Sequence, residues 1–229
     1  MELKNYTYLL LLLFTIAGPL VMSFEKQIQY YRKLKYILPA ILITAAFFLI
    51  WDIRFTEANI WSFNFENTIG IVYKGLPLEE WLFFIVIPYA CIFIYEVTKV
   101  YLKKYEYPNV FVAFSLLLIV AFAMISYFFR HQAYTFLTFL FSAVFLTYTV
   151  FRNRFKPHMT KFYFAYFISI VPFALVNGLL NSLDVFVCNK TQILNIKILN
   201  FPVEDFGYLF LMLLMVTTIY ETLKESKYY

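Results

Sequence analysis

Charge is scarce in this sequence. Asp, Glu, Lys and Arg make up 14% of its 229 residues, where a soluble domain carries roughly 25%, so a water-exposed surface of ordinary size is excluded. Glycine is rare too, with 5 in all. No G-x-G-x-x-G, Walker-type or G-x-S-x-G stretch occurs, which leaves phosphoryl and acyl transfer without support. The two histidines, His131 and His158, sit among basic residues at the ends of apolar blocks. The two cysteines, Cys91 in an apolar run and Cys188 in a connection, lack metal-like spacing. Neither a metal site nor a disulfide is expected, and no cofactor motif is visible. The net charge of +5 is no nucleic-acid signal, because no basic stripe is interleaved with exposed aromatics.

What is abundant is apolar and aromatic. Hydrophobic residues reach 62%, with 29 Phe and 20 Tyr, and they fall into blocks at about 6–24, 34–51, 77–98, 107–129, 132–151, 162–183 and 202–223. Each block is near the roughly 20 residues that a helix needs to cross the hydrocarbon core. The expected fold is all-α, a polytopic membrane bundle of about seven transmembrane helices. The block after Lys4 lacks a small-x-small cleavage site and six like it follow, so it reads as a retained helix. Lys and Arg number 13 in the connections after the first, third and fifth blocks plus the C-terminal tail, and 6 elsewhere. The positive-inside rule then places the N-terminus outside and the C-terminus in the cytoplasm of a cell membrane. Two long outer connections, about 52–76 and 184–201, carry Ile60, Trp61, Phe63 and Phe65, and Ile193, Leu194, Ile196 and Ile198. Such apolar content predicts connections that lie at the interface or fold back over the bundle.

The chain repeats itself. Pro77-Leu78-Glu79-Glu80 opens one helix and Ile94-Tyr95-Glu96-x-x-Lys99 ends it; Pro202-Val203-Glu204-Asp205 and Ile219-Tyr220-Glu221-x-x-Lys224 do the same 125 residues later. Upstream, each copy has a helix expected to end in aspartate, Asp52 and Asp184. The division that follows is a first three-helix repeat over 1–106, a linking transmembrane helix over 107–131 and a second repeat over 132–229. With one span between them, both repeats cross in the same direction, which brings both acidic motifs to the outer side around a pseudo-two-fold axis.

Glu79, Glu80, Glu204 and Asp205 are the candidate catalytic groups. Acids after a helix-opening proline also suit the helix dipole, but two copies in one register at the lip of apolar helices point to a site. Two adjacent carboxyls in a poorly hydrated place do not both ionise easily, so one can retain a proton and act as an acid. Asp52 and Asp184 are either interfacial anchors or site groups. Asn177 and Asn181 share a helix face at i, i+4, as interhelical bonds or as a polar pocket. Trp61, Trp81, Phe83 and Phe84 surround the acids; such aromatics form interfacial belts or face a cation. Glu96 and Glu221 lie 17 residues beyond Glu79 and Glu204, at the opposite interface, where Glu–Lys pairing at i, i+3 explains them.

These residues resemble the lycopene cyclase domain family, the membrane-embedded type found as heterodimers or tandem fusions. The likeness rests on Pro77-Leu78-Glu79-Glu80-Trp81-Leu82-Phe83-Phe84 and Pro202-Val203-Glu204-Asp205. Trp51-Asp52, Phe55-Thr56, Ile60-Trp61-x-Phe63-Asn64, Asn177-Gly178 and both Tyr-Glu pairs support it. Asn59 stands where glycine is expected, and Lys197 where arginine is. The resemblance implies acid-initiated cyclisation of an acyclic ψ end group to a β-ionone ring without net redox change. The four motif acids would serve as donor, cation stabiliser and base, and Asp52, Trp61, Trp81, Phe83, Phe84, Asn177, Asn181 and Asp184 would line the substrate. It implies a lipophilic polyene substrate, membrane lipid as surroundings, no nucleic acid and no obligatory second subunit. The competing readings are a proton-coupled transporter with parallel repeats, a carotenoid end-group hydratase and a non-catalytic scaffold. A retinal protein needs a lysine within its last helix, and 202–223 has none.

Overall fold

A computed structural model describes residues 3–152 and 155–225; Arg154 and Lys227, counted above among the basic residues, and the outermost residues of both repeats lie outside that range. Among the described residues the chain forms a bundle of seven α-helices: α1 (Thr7–Met22), α2 (Leu34–Glu57), α3 (Leu78–Tyr101), α4 (Pro108–Phe128), α5 (Ala133–Phe151), α6 (Met159–Ser182) and α7 (Glu204–Glu225). All but α1 are long and apolar enough to cross a membrane. The 16 residues of α1 reach only about 24 Å at 1.5 Å per residue, shorter than the span predicted over 6–24, although a 3-10 turn over Leu3–Tyr6 leads into it. Large apolar side chains such as Phe14, Val21, Leu117 and Phe151 face outward, each more than 70% exposed. Lipid is the solvent that suits such a surface.

The helices differ in how they use their residues. Nearly every side chain of α7 from Glu204 to Glu221 is buried, and α3 is buried almost as fully, so these two form the centre. α3 packs on α1, α2 and α6, and α7 packs on α5 and α2; α4 touches mainly α5 and leaves most of its surface free. Gly207 lets α5 approach: a Cβ there would lie 3.0 Å from the Thr138 methyl and 3.2 Å from the Phe139 ring. Pro19, Pro39, Pro88 and Pro172 all lie inside helices. The Ser23 hydroxyl donates to the Pro19 carbonyl at 2.7 Å, which satisfies one of the carbonyls left open at the end of α1.

Two boundaries differ from the sequence reading. α2 runs on past Asp52 to Glu57, so Asp52 lies inside the helix and not at its end. The Ile53–Glu57 stretch stays helical, with Arg54 and Glu57 paired at i, i+3 on its exposed face. Asp184 stands two residues beyond α6 in a left-handed conformation (φ 50°). Its counterpart at the 125-residue offset is Asn59, also left-handed (φ 52°), so Asn here does what glycine would do in that turn.

The two long connections fold over the same end of the bundle and pair with each other. β1 (Trp61–Phe63) and β4 (Phe186–Cys188) are antiparallel, with Trp61 opposite Cys188, Ser62 opposite Val187 and Phe63 opposite Phe186. Since 61 and 186 differ by the repeat offset, this ladder is related to itself by a local two-fold through Ser62 and Val187. Each connection continues through a 3-10 turn that Asn64 or Asn189 opens by accepting from the backbone N–H two residues on. Each then makes a hairpin, β2 (Val72–Tyr73) with β3 (Leu76–Pro77), and β5 (Lys197–Ile198) with β6 (Phe201–Pro202). Lys74-Gly75 and Leu199-Asn200 turn these hairpins with positive φ at both positions, the geometry of a type I′ turn.

Candidate active site

The first acid of each motif binds the backbone of its own connection through one carboxyl oxygen, while its other oxygen is buried without a partner. Glu79 and Glu204 are both 0% exposed. Glu79 Oε1 accepts from the Ile69 backbone N–H at 2.7 Å, and Glu204 Oε1 accepts from the Leu194 N–H at 2.7 Å; 69 and 194 again differ by 125. Glu204 Oε1 also accepts from the Thr135 hydroxyl at 2.6 Å. Each glutamate thus ties its outer connection to the helix it opens. Gln at 79 keeps a carbonyl acceptor for the Ile69 N–H, so Glu79→Gln is expected to cost no more than about 1 kcal/mol of stability. Glu79→Ala, which orphans that buried N–H, is expected to lower stability by about 1–3 kcal/mol. Thermal unfolding in detergent checks the pair.

The second acid of each motif points elsewhere. Glu80 on α3 and Asp205 on α7 both line a single small cavity beneath the paired strands β1 and β4. Asp52, from the middle of the outer half of α2, joins them, and all three carboxyls are at least nine-tenths buried. Glu80 Oε2 accepts from the Tyr8 hydroxyl at 2.7 Å. Asp52 Oδ1 accepts from the Tyr208 hydroxyl at 3.1 Å, and Asp52 and Glu80 line the same buried wall of the cavity. Two carboxyls buried together do not both ionise easily, so one of them can keep a proton. Asp205 is held differently. Its Oδ1 accepts from the Tyr134 hydroxyl at 2.7 Å and its Oδ2 from the Asn177 amide at 3.0 Å.

The rest of the wall is aromatic or apolar: Trp61, Phe83, Phe173, Leu180 and Phe186, with the rings of Tyr134 and Tyr208. Trp61 is fixed by its indole N–H to the Thr56 hydroxyl at 3.1 Å and meets the Tyr134 ring edge-on at 5.2 Å. Asn181 lines the cavity and donates to the Asn177 carbonyl at 3.0 Å. Such a wall excludes water and offers ring faces to a positive charge.

Not every candidate reaches the cavity. Phe84 packs one layer behind, against Phe48 and Tyr208. Trp81 points outward to the first hairpin, with its ring 5.3 Å from that of Tyr73. Asp184 is exposed in its turn; the residue matching Asp52 at the 125-residue offset is Asn177, and the upstream aspartates are not equivalents. Tyr8, Tyr134 and Tyr208 are the groups the sequence reading passed over. Tyr8 and Tyr134 open the first helix of each copy, at an offset of 126 residues instead of 125, and that one-residue slip hides them from a fixed-offset comparison. Cys188 lies against this region, but burial, and then Asp205, push its thiol up, so it is no nucleophile. Among the described residues no group of His, Cys, Asp and Glu could hold a metal ion.

Neither curated proteins nor solved structures match the chain. A family model described as lycopene cyclase matches it over residues 5–98 and again over 131–223. Those two stretches take in all three cavity carboxyls and the three tyrosines that bind them, and together they span well over half of the sequence. The chain belongs to the lycopene cyclase family.

Proposed function

We propose that this protein closes β-ionone rings on the acyclic ψ ends of a lycopene-type carotenoid by proton-initiated cyclisation. The observation that carries the reading is the meeting of Glu80 and Asp205, the second acids of two motifs 125 residues apart, in one aromatic cavity. A protonated carboxyl adds its proton to the terminal double bond of the end group. The resulting cation is attacked by the neighbouring alkene, which forms the ring bond and moves the positive charge into the ring. Loss of one ring proton to a carboxylate then gives the ring double bond. One proton enters and one leaves, so the product is an isomer of the substrate and no redox partner is needed. The aromatic wall and the carboxylate opposite the donor stabilise the cation.

The cavity gathers the second acids of both motifs within one aromatic wall, which suits one end of a long polyene at a time. Both motifs line that cavity, so one chain has one site, and a two-ended substrate is cyclised one end at a time. The monocyclic carotenoid is therefore expected to rise before the bicyclic one. Residues from both halves of the chain line the cavity, which supports a protein that works without a second subunit. The outer position of the cavity, with the N-terminus outside and the C-terminus cytoplasmic, follows from the distribution of Lys and Arg.

The test is chromatography of pigments from a lycopene-accumulating host that expresses the chain. Monocyclic and then bicyclic carotenoid is the expected result. Unchanged lycopene with well-inserted protein contradicts lycopene cyclisation, and a hydrated acyclic product favours the hydratase chemistry instead.

A further inference from the structure

The two halves of the cavity are matched except at one position that carries chemistry. Glu80 matches Asp205, and Tyr8 and Tyr134 donate to them at the same 2.7 Å. The neighbour of Glu80 is Asp52, whereas the neighbour of Asp205, at the equivalent place on α6, is Asn177. Two carboxyls buried on one wall keep a transferable proton between them, because both do not ionise easily. An Asp that accepts from an amide on one oxygen and from a phenol on the other has donors that suit its carboxylate form. The same scaffold thus presents an acid on one wall and a base on the other.

We propose that Asp52 and Glu80 act together as the proton donor, and that Asp205, set by Asn177, faces the cation and takes the ring proton. The proton leaves the Asp52–Glu80 pair for the terminal alkene carbon, and the ring proton ends on Asp205. Each turnover moves one proton from the first wall to the second, and exchange with solvent restores the starting state. Tyr208 belongs to the donor wall: it binds Asp52 at 3.1 Å, and the matching residue of the first half is Phe83, which has no hydroxyl. Asp52 is thereby a catalytic residue outside both Pro-x-acid motifs, and Asn177 a positioning residue.

This assignment rests on the cyclase reading, and an exchange of residues tests it separately. Asp52→Asn makes both walls alike, each a carboxylate with an amide. It is expected to lower the single-turnover rate at least about 100-fold while the polyene still binds, as read from its absorption shift. Asp52→Asn combined with Asn177→Asp moves the acid pair to the other wall and is expected to recover at least about tenfold of that loss. A purely structural role for Asp52 would not be relieved by a second change across the cavity. A rate for Asp52→Asn within about tenfold of native, or a loss that the double exchange does not relieve, overturns the division of roles. If Asp52→Asn fails to accumulate, Asn177→Asp alone serves: it should slow turnover by tying Asp205 into a carboxyl pair, and a native rate overturns the proposal. A native chain that forms no ring overturns the cyclase reading instead.

Discussion

Glu80→Gln should abolish ring formation while leaving the fold intact. The amide has the shape of the carboxyl, its oxygen can still accept from Tyr8 at the position now 2.7 Å away, and its NH₂ can still reach Asp52. What it lacks is a proton that can be transferred to carbon. General acid catalysis contributes about 10²–10⁴ in rate, and a loss of that order is expected. Asp205→Asn removes the charge facing the cation, and about 10²–10³ is expected there, by analogy with the loss of one stabilising group from a preorganised site. Ring formation per unit of membrane-inserted protein is the measurement, with Glu79→Gln beside it. If Glu79→Gln proves as damaging as Glu80→Gln, the separation of clasping acids from cavity acids is wrong.

The second large effect lies at the other end of the bundle. Glu96 and Glu221 are 1% and 3% exposed, and their hydrogen bonds cross between α3 and α7. Tyr220 donates to Glu96 at 2.9 Å and Tyr95 to Glu221 at 2.9 Å. Lys99 bridges both acids, at 3.2 Å from Glu96 and 2.6 Å from Glu221. Lys33 reaches Glu96, and His158, at the 125-residue offset from Lys33, lies 3.9 Å from Glu221. Removing one partner of a buried ionic group leaves the other charge uncompensated and costs about 3–5 kcal/mol. Glu96→Ala is therefore expected to lower thermal stability in detergent far more than Tyr220→Phe, which removes one hydrogen bond worth about 1 kcal/mol. Glu57→Ala is the control: its ion pair with Arg54 is 58% exposed on the Glu side, and no measurable change is expected. Equal midpoints for Glu96→Ala and Glu57→Ala would show that the cluster is not a clasp.

The all-α membrane bundle was legible because apolar blocks of span length leave few alternatives in lipid. The motif acids were legible because the repeat preserves their register. What the sequence could not reveal was which acid of each pair faces the cavity. Adjacent residues on a helix point about 100° apart, so one of each pair must turn away, but the choice depends on where the outer connection delivers the Ile69 and Leu194 N–H groups. Asp52 was misplaced to a helix end because a charge after an apolar run looks like a boundary, whereas in the bundle that charge is buried against Glu80 and Tyr208. The equivalence of Asp52 with Asn177 was obscured by Asp184, a chemically similar residue seven positions later that serves only a left-handed turn. The tyrosines escaped notice for want of contrast, being three among 20.

The most direct measurement is mass spectrometry of the carotenoid formed in a single turnover by native protein pre-equilibrated in heavy water. If a cavity carboxyl starts the reaction, its exchanged deuteron is carried onto carbon, and each new ring holds one deuteron at the carbon that was the terminal alkene. Rings formed without deuterium would contradict a carboxyl-initiated cyclisation.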